Sequence, residues 1–177
     1  MSAKKIANCA MCVALSVVTN LISVYKFPFG GSITLCSMLF MMLPAWFYGV
    51  RIGVLCGVIF GLLNFTISPY FMTVPQFLFD YIFAFGIMGL GGIVRNTKNG
   101  LIKGYLIAVI GRWIMATIAG LIWFSLGMTA WEGWSPLPYS MAYNAAYIFA
   151  EAFITVLLLL LPPVKNALER IKKTTGD

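Results

Sequence analysis

The chain has 177 residues, 61% of them hydrophobic and only 10% charged, with a mean hydropathy of +0.93. Ordinary soluble domains are about 25% charged, and a compact domain of this length still exposes much of its chain, so a cytosolic enzyme and a secreted domain are excluded and the solvent is lipid. The net charge of +7 does not make a nucleic-acid binder, because the basic residues fall at segment ends and not in one patch.

A membrane helix needs ~20 mostly apolar residues. The chain reads as an all-α integral membrane protein, one six-transmembrane-helix bundle with spans near 6–23, 33–48, 52–67, 76–94, 104–126 and 139–161. The first span lacks a small-residue cleavage site and is expected to be retained. Ala3, Ala7, Ala10 and Ala14 form a small-residue stripe on it, suited either to packing inside the bundle or to docking a separate membrane subunit. Cys9 and Cys12 make a C-x-x-C that we read as two small hydrophobes, since no second ligand pair accompanies it. The turn Gly49-Val50-Arg51 joins the second span to the third, where Gly49, Gly53, Gly57 and Gly61 recur every four residues and predict close helix contact. Ser68-Pro69 breaks the chain before the fourth span, whose inner half is crowded with Gly86, Gly89, Gly91 and Gly92. Residues 95–100 and 131–138 are the links on either side of the fifth span, and Pro162-Pro163 is expected to end the sixth. These runs are continuously apolar and not alternating, which excludes a β-barrel.

Orientation follows from the basic residues in the loops. One side collects Lys4, Lys5, Arg51, Arg95, Lys98, Lys103, Lys165, Arg170, Lys172 and Lys173, and the other has Lys26 alone. Both termini are therefore expected in the cytoplasm, in a multi-pass protein of the cell membrane.

With no histidine, Ser-His and Cys-His catalysis and histidine metal sites are out of reach. No nucleophile–base pair, metal set or cofactor motif is evident, so an enzyme is not expected. A phosphate-binding G-x-x-x-x-G-K-[ST] loop is also missing, so any nucleotide must be bound by another chain. Ionisable residues inside spans are functional candidates by default. Three qualify: Asp80, Arg112 and Glu151. At a rise of ~1.5 Å per residue, Arg112 and Glu151 lie ~21 and ~18 Å from the outer face, so an ion pair between them is expected, while Asp80 is shallower and has no evident partner. Around the outer half gather Tyr70, Tyr81, Trp123, Phe124, Trp131, Trp134, Tyr139, Tyr143 and Asn144. A lipid-facing aromatic belt accounts for Trp46 and Trp134 but not for so many rings beside Asp80. A carboxylate, several π-faces and one amide edge suit a small, flat, cationic ligand with ring nitrogens.

Four blocks carry a resemblance to a known family. They are Gly30-Gly31-Ser32-Ile33-Thr34, then Asp80-Tyr81-Ile82-Phe83-Ala84-Phe85-Gly86 with Gly89-Leu90, then Gly111-Arg112-Trp113 with Ala119-Gly120. The fourth is Glu132-Gly133, Ser135-Pro136, Tyr139-Ser140, Tyr143-Asn144, Tyr147 and Glu151. Together they resemble the thiamine-specific substrate-binding (S) components of energy-coupling factor (ECF) transporters, the ThiT family. The resemblance implies a six-helix protein that binds thiamine from outside and hands it to a membrane coupling subunit with two cytoplasmic ATPases. It places the family's ligand-facing acid on Asp80, its neighbouring tyrosine on Tyr81, a loop aromatic on Tyr70 and a basic position on Arg112. It also places a stacking aromatic on Phe124 or Trp123, and further ligand contacts on Tyr139, Ser140 and Asn144. Trp131, Trp134 and Glu151 complete the candidate set, and Ala10 and Ala14 resemble the face that docks on the coupling subunit. Ala116 stands where the family often has a histidine, and Phe27 and Phe29 stand in the first loop where a tryptophan lid would be expected. An autonomous ion-coupled carrier and a ligand-free membrane scaffold are the alternatives.

Overall fold

The computed structural model describes residues 2–69, 72–127 and 133–175. Helix α1 (Ala3–Leu21) starts where the Ser2 hydroxyl accepts the Lys5 N–H. A short antiparallel ribbon follows, β1 (Ser23–Lys26) and β2 (Ser32–Thr34), its tip a tight turn at Pro28–Gly30 with Phe29 in the left-handed region at φ 63°. Helix α2 (Ser37–Tyr48) and helix α3 (Val50–Ile67) meet at Gly49, whose φ of 95° only glycine adopts without strain. Helix α4 (Val74–Val94) changes pitch along its length, from one α-turn to a π-helical stretch at Leu78–Phe83 and a 3₁₀ run at Ile87–Val94. Helices α5 (Gly100–Phe124), α6 (Pro136–Leu160) and α7 (Pro162–Thr175) complete the chain.

Helices α3, α4, α5 and α6 are each long and apolar enough to cross a membrane; α2 is apolar but shorter. The glycines of α3 do what their spacing predicts. A β-carbon on Gly57 would overlap the Phe85 carbonyl, one on Gly61 the Tyr81 carbonyl, and one on Gly53 the Ala45 side chain near Gly89. Their missing side chains let α4 lie directly on α3, with backbone against backbone. This contact sets the position of the π-helical stretch.

The sixth span ends at Leu160, just ahead of Pro162-Pro163 as expected, and Pro162 then opens α7, because a proline at the first helical position loses no intrahelical hydrogen bond. Two expectations need correction. The second span does not begin at Ile33, which belongs to β2; α2 starts at Ser37. Trp46 is not in a lipid-facing belt: it is 3% exposed and lies under α7, with the Lys172 ammonium 4.5 Å from its ring centroid. The alanine stripe of α1 faces outward. Ala10 and Ala14 are exposed, whereas Cys9, Cys12, Val13 and Ser16 form the buried face of the same helix. Both cysteines of the C-x-x-C are core residues, as expected of small hydrophobes.

Candidate ligand-binding site

A cavity of about 400 Å³ opens at one end of the bundle, walled by α4, α5 and α6 and roofed by the β1–β2 ribbon. Its acidic wall comes from the π-helical stretch of α4, where one residue more per turn rotates Asp80 toward the cavity beside Tyr81 and Phe85. Tyr81 is held by its own hydroxyl, which donates to the Ser68 carbonyl at 2.9 Å, and by rings of Phe65 and Phe77. Opposite stands Arg112 of α5. Its guanidinium carbon lies 4.8 Å from the Phe85 centroid, and its Nη1 is buried with no hydrogen-bond partner among the described residues. A buried donor without an acceptor costs ~1–3 kcal/mol.

The aromatic wall joins α5 and α6 to the ribbon tip. Phe124 packs edge-on to Phe29 at 5.7 Å and to Tyr143 at 5.5 Å, and Phe27 meets Tyr147 at 6.2 Å. The tip is bonded to the same wall: the Tyr143 hydroxyl accepts the Gly31 N–H at 2.9 Å and donates to the Pro28 carbonyl. Gly31 has to be glycine here, because a β-carbon would come within 2.7 Å of that hydroxyl and 2.8 Å of the Tyr147 ring.

Asn144 works within the protein. Its Nδ2 donates to the Ala116 carbonyl at 3.2 Å and the Ser140 carbonyl at 2.9 Å, and its Oδ1 accepts the Tyr147 hydroxyl at 2.6 Å. It thus ties α6 to α5 and aims Tyr147 along the cavity. Ala116, where a histidine would project, lines the cavity with a methyl group and offers its carbonyl to Asn144.

The structure brings Asp80, Tyr81, Arg112, Trp123, Phe124 and Asn144 to one cavity. Tyr139 and Ser140 lie behind the wall. Tyr139 packs edge-on to Phe124 at 4.6 Å, and Ser140 donates to the Thr117 carbonyl at 2.8 Å. Trp134 is 46% exposed and does not line the cavity; Tyr70 and Trp131 lie outside the described residues.

Glu151 is elsewhere, and the expected Arg112–Glu151 ion pair is not formed. One Glu151 oxygen accepts the Thr34 N–H at 3.1 Å and the Thr34 hydroxyl at 2.6 Å, while the other accepts the Met38 N–H at 3.1 Å and the Ser37 hydroxyl at 3.3 Å. The carboxylate caps the start of α2 and anchors the root of the ribbon. Equal depth does not make a pair when the two side chains point to different neighbours.

Sequence reasoning missed Asn20, Asn64 and Gln76, which also line the cavity. Asn20 donates to Asn64 Oδ1 at 2.9 Å, and Gln76 Oε1 accepts the Met72 N–H at 2.9 Å. The available signal was an uncharged amide in the last or first turn of an otherwise apolar helix.

The profile of the thiamine transporter protein family matches residues 6–170. Thiamine transporter ThiT of Bacillus subtilis (strain 168) is 31% identical over 173 residues, covering 89% of this chain and 88% of its own. The fold is similar to that of ThiT from Listeria monocytogenes, with a TM-score of 0.70 at 22% identity over 90% of this chain and 94% of that one. It is also similar to the S component of a bacterial ECF transporter, with a TM-score of 0.58 at 21% identity over 88% and 92% of the two chains. Matched along nearly its whole length, the chain belongs to the thiamine transporter protein family, a family of membrane transport components and not of enzymes.

Proposed function

We propose that this chain is a thiamine-capturing S component: it binds thiamine from outside the cell and delivers it to an ECF module of one membrane coupling subunit and two cytoplasmic ATPases. The observation that carries this reading is the cavity of about 400 Å³ that sets the Asp80 carboxylate and the buried spare donor of Arg112 against a wall of aromatic faces. Thiamine joins two flat rings through a methylene, a cationic thiazolium and a pyrimidine with acceptor nitrogens. Asp80 offsets its charge, Phe124, Trp123, Tyr143 and Tyr147 offer π-faces, and Arg112 donates to a ring nitrogen or the hydroxyl. Tyr139, Ser140 and Asn144 position that wall.

In this reading the chain crosses the membrane six times with both termini in the cytoplasm, an orientation supported by the excess of Lys and Arg in the loops assigned to that side. Ala10 and Ala14, exposed on α1, form the surface that meets the coupling subunit. The chain's lack of a phosphate loop leaves ATP to the partner.

Titration of thiamine into the purified chain, followed by tryptophan fluorescence and calorimetry, tests the reading. One saturable site without any ATPase, together with cellular uptake that needs the ATPases, is the expected result. No heat and no fluorescence change would overturn thiamine capture; uptake by the chain alone in energised vesicles would overturn the dependence on a partner module.

A further inference from the structure

A second cavity, of about 270 Å³, lies at the opposite end of the bundle, between residues 95–102 and α7. Four of its lining residues are cations, Arg95, Lys165, Lys172 and Lys173, against one carboxylate, Glu169. The hydrogen bonds that the first three make go to neutral oxygens. Arg95 Nη1 donates to the Phe47 carbonyl at 3.1 Å, Lys165 Nζ to Asn99 Oδ1 at 3.2 Å, and Lys172 Nζ to the Arg95 carbonyl at 2.5 Å. Each of these groups carries donors beyond the one so used.

Trp46 and the start of α5 also border it. Trp46 lines the cavity and is 3% exposed, yet its indole N–H is buried with no hydrogen-bond partner among the described residues. Leu101 and Ile102 line it from the first turn of α5, where backbone N–H groups lack intrahelical partners and the helix dipole is positive. The crowding of like charge is felt by Lys172, whose amine is pushed below its ordinary value by burial and then by Arg95, with Glu169 opposing. Donors and positive charge surround an opening that the chain itself supplies with almost no acceptor charge.

We propose that this cavity is an anion site for a phosphate group, carried either by the headgroup of an anionic phospholipid or by a free phosphate. A phosphate offers several acceptor oxygens and no obligatory donor, which fits the spare ammonium and guanidinium donors and the first turn of α5 at once. The site is also placed for a headgroup, because α7 follows the apolar α6 directly and holds basic side chains at the edge of the hydrocarbon.

The test uses the full chain in nanodiscs of phosphatidylcholine, with and without phosphatidylglycerol, and the double variant K165Q/K173Q, whose positions are remote from the thiamine cavity. Native mass spectrometry reads retained lipid, and thermal unfolding reads stabilisation by phosphatidylglycerol or by inorganic phosphate against chloride at equal ionic strength. A basic residue near a headgroup is worth about fivefold in affinity, so the double variant is expected to lose roughly 25-fold. Selective retention of phosphatidylglycerol, lost in the variant, assigns the occupant to lipid. Stabilisation by inorganic phosphate without phosphatidylglycerol, again lost in the variant, assigns it to a free anion. No selectivity in either arm, or a selectivity that K165Q/K173Q leaves unchanged, overturns the proposal. Should that variant fail to fold, as judged by loss of helical circular dichroism, the single variant K165Q replaces it. K165Q removes one cation and is expected to lower the same selectivity about fivefold; unchanged selectivity in K165Q overturns the proposal.

Discussion

Glu151→Gln is a one-atom-type change with a predictable cost. The native side chain is 3% exposed and accepts at both oxygens, one facing the Thr34 N–H and the other the Met38 N–H. A glutamine keeps only one acceptor, and its amide NH₂ must face a backbone N–H whichever way it is turned. That loses a hydrogen bond to a charged group, worth ~1.5–3 kcal/mol, and leaves a buried donor unsatisfied at ~1–3 kcal/mol. The expected destabilisation is about 3–5 kcal/mol, which for a chain of this size lowers the unfolding midpoint by on the order of 10 °C. Thermal unfolding of the purified, ligand-free chain measures it. The same logic separates Glu151 from Arg112: the double variant R112M/E151Q should show the sum of the two single effects within about 0.5 kcal/mol. Recovery of stability in the double variant would refute the placement of Glu151 under the ribbon and restore a buried ion pair in its place.

Asp80→Asn should weaken thiamine binding by about 1.5–3 kcal/mol, read by calorimetry, because it removes the cavity's acidic charge while keeping its shape; unchanged affinity would make Asp80 an interfacial cap. Ala14→Trp should leave thiamine binding by the purified chain intact and abolish copurification with the coupling subunit, and loss of binding instead would return the stripe to internal packing. Gly61→Ala places a methyl group on the Tyr81 carbonyl, so α3 or α4 must move; a loss of ~1–3 kcal/mol in stability is expected, with weaker thiamine binding because Asp80 adjoins the displaced residue.

Much of the fold was legible because lipid imposes simple rules. Apolar length located the helices to within a few residues, and the four-residue glycine spacing of α3 named a contact that the structure places against α4. What escaped was short-range or directional. The ribbon strands have 4 and 3 residues, too few for a period-two pattern to stand out from a loop. Pro162-Pro163 marks the end of α6, but its second role as the start of α7 is not evident from the proline pair alone. For the cavity, residue type singled out Asp80, Arg112 and Phe124, but depth along a helix says nothing about azimuth. Glu151 therefore looked like a partner for Arg112, although its carboxylate turns to the ribbon. The π-helical stretch of α4 defeats azimuth counting altogether, since the extra residue per turn resets the face on which Asp80 falls.

The contact between the two ends of the chain has a topological consequence. Lys4 Nζ donates to the Thr174 carbonyl at 2.6 Å, so the beginning of α1 and the end of α7 share one end of the bundle. A thread that leaves and returns to the same side of a sheet pierces it an even number of times. Five crossings are thereby forbidden whatever the hydropathy of individual helices, and α1 and α2, one flanked by lysines and the other only 12 residues long, must be counted in or out together.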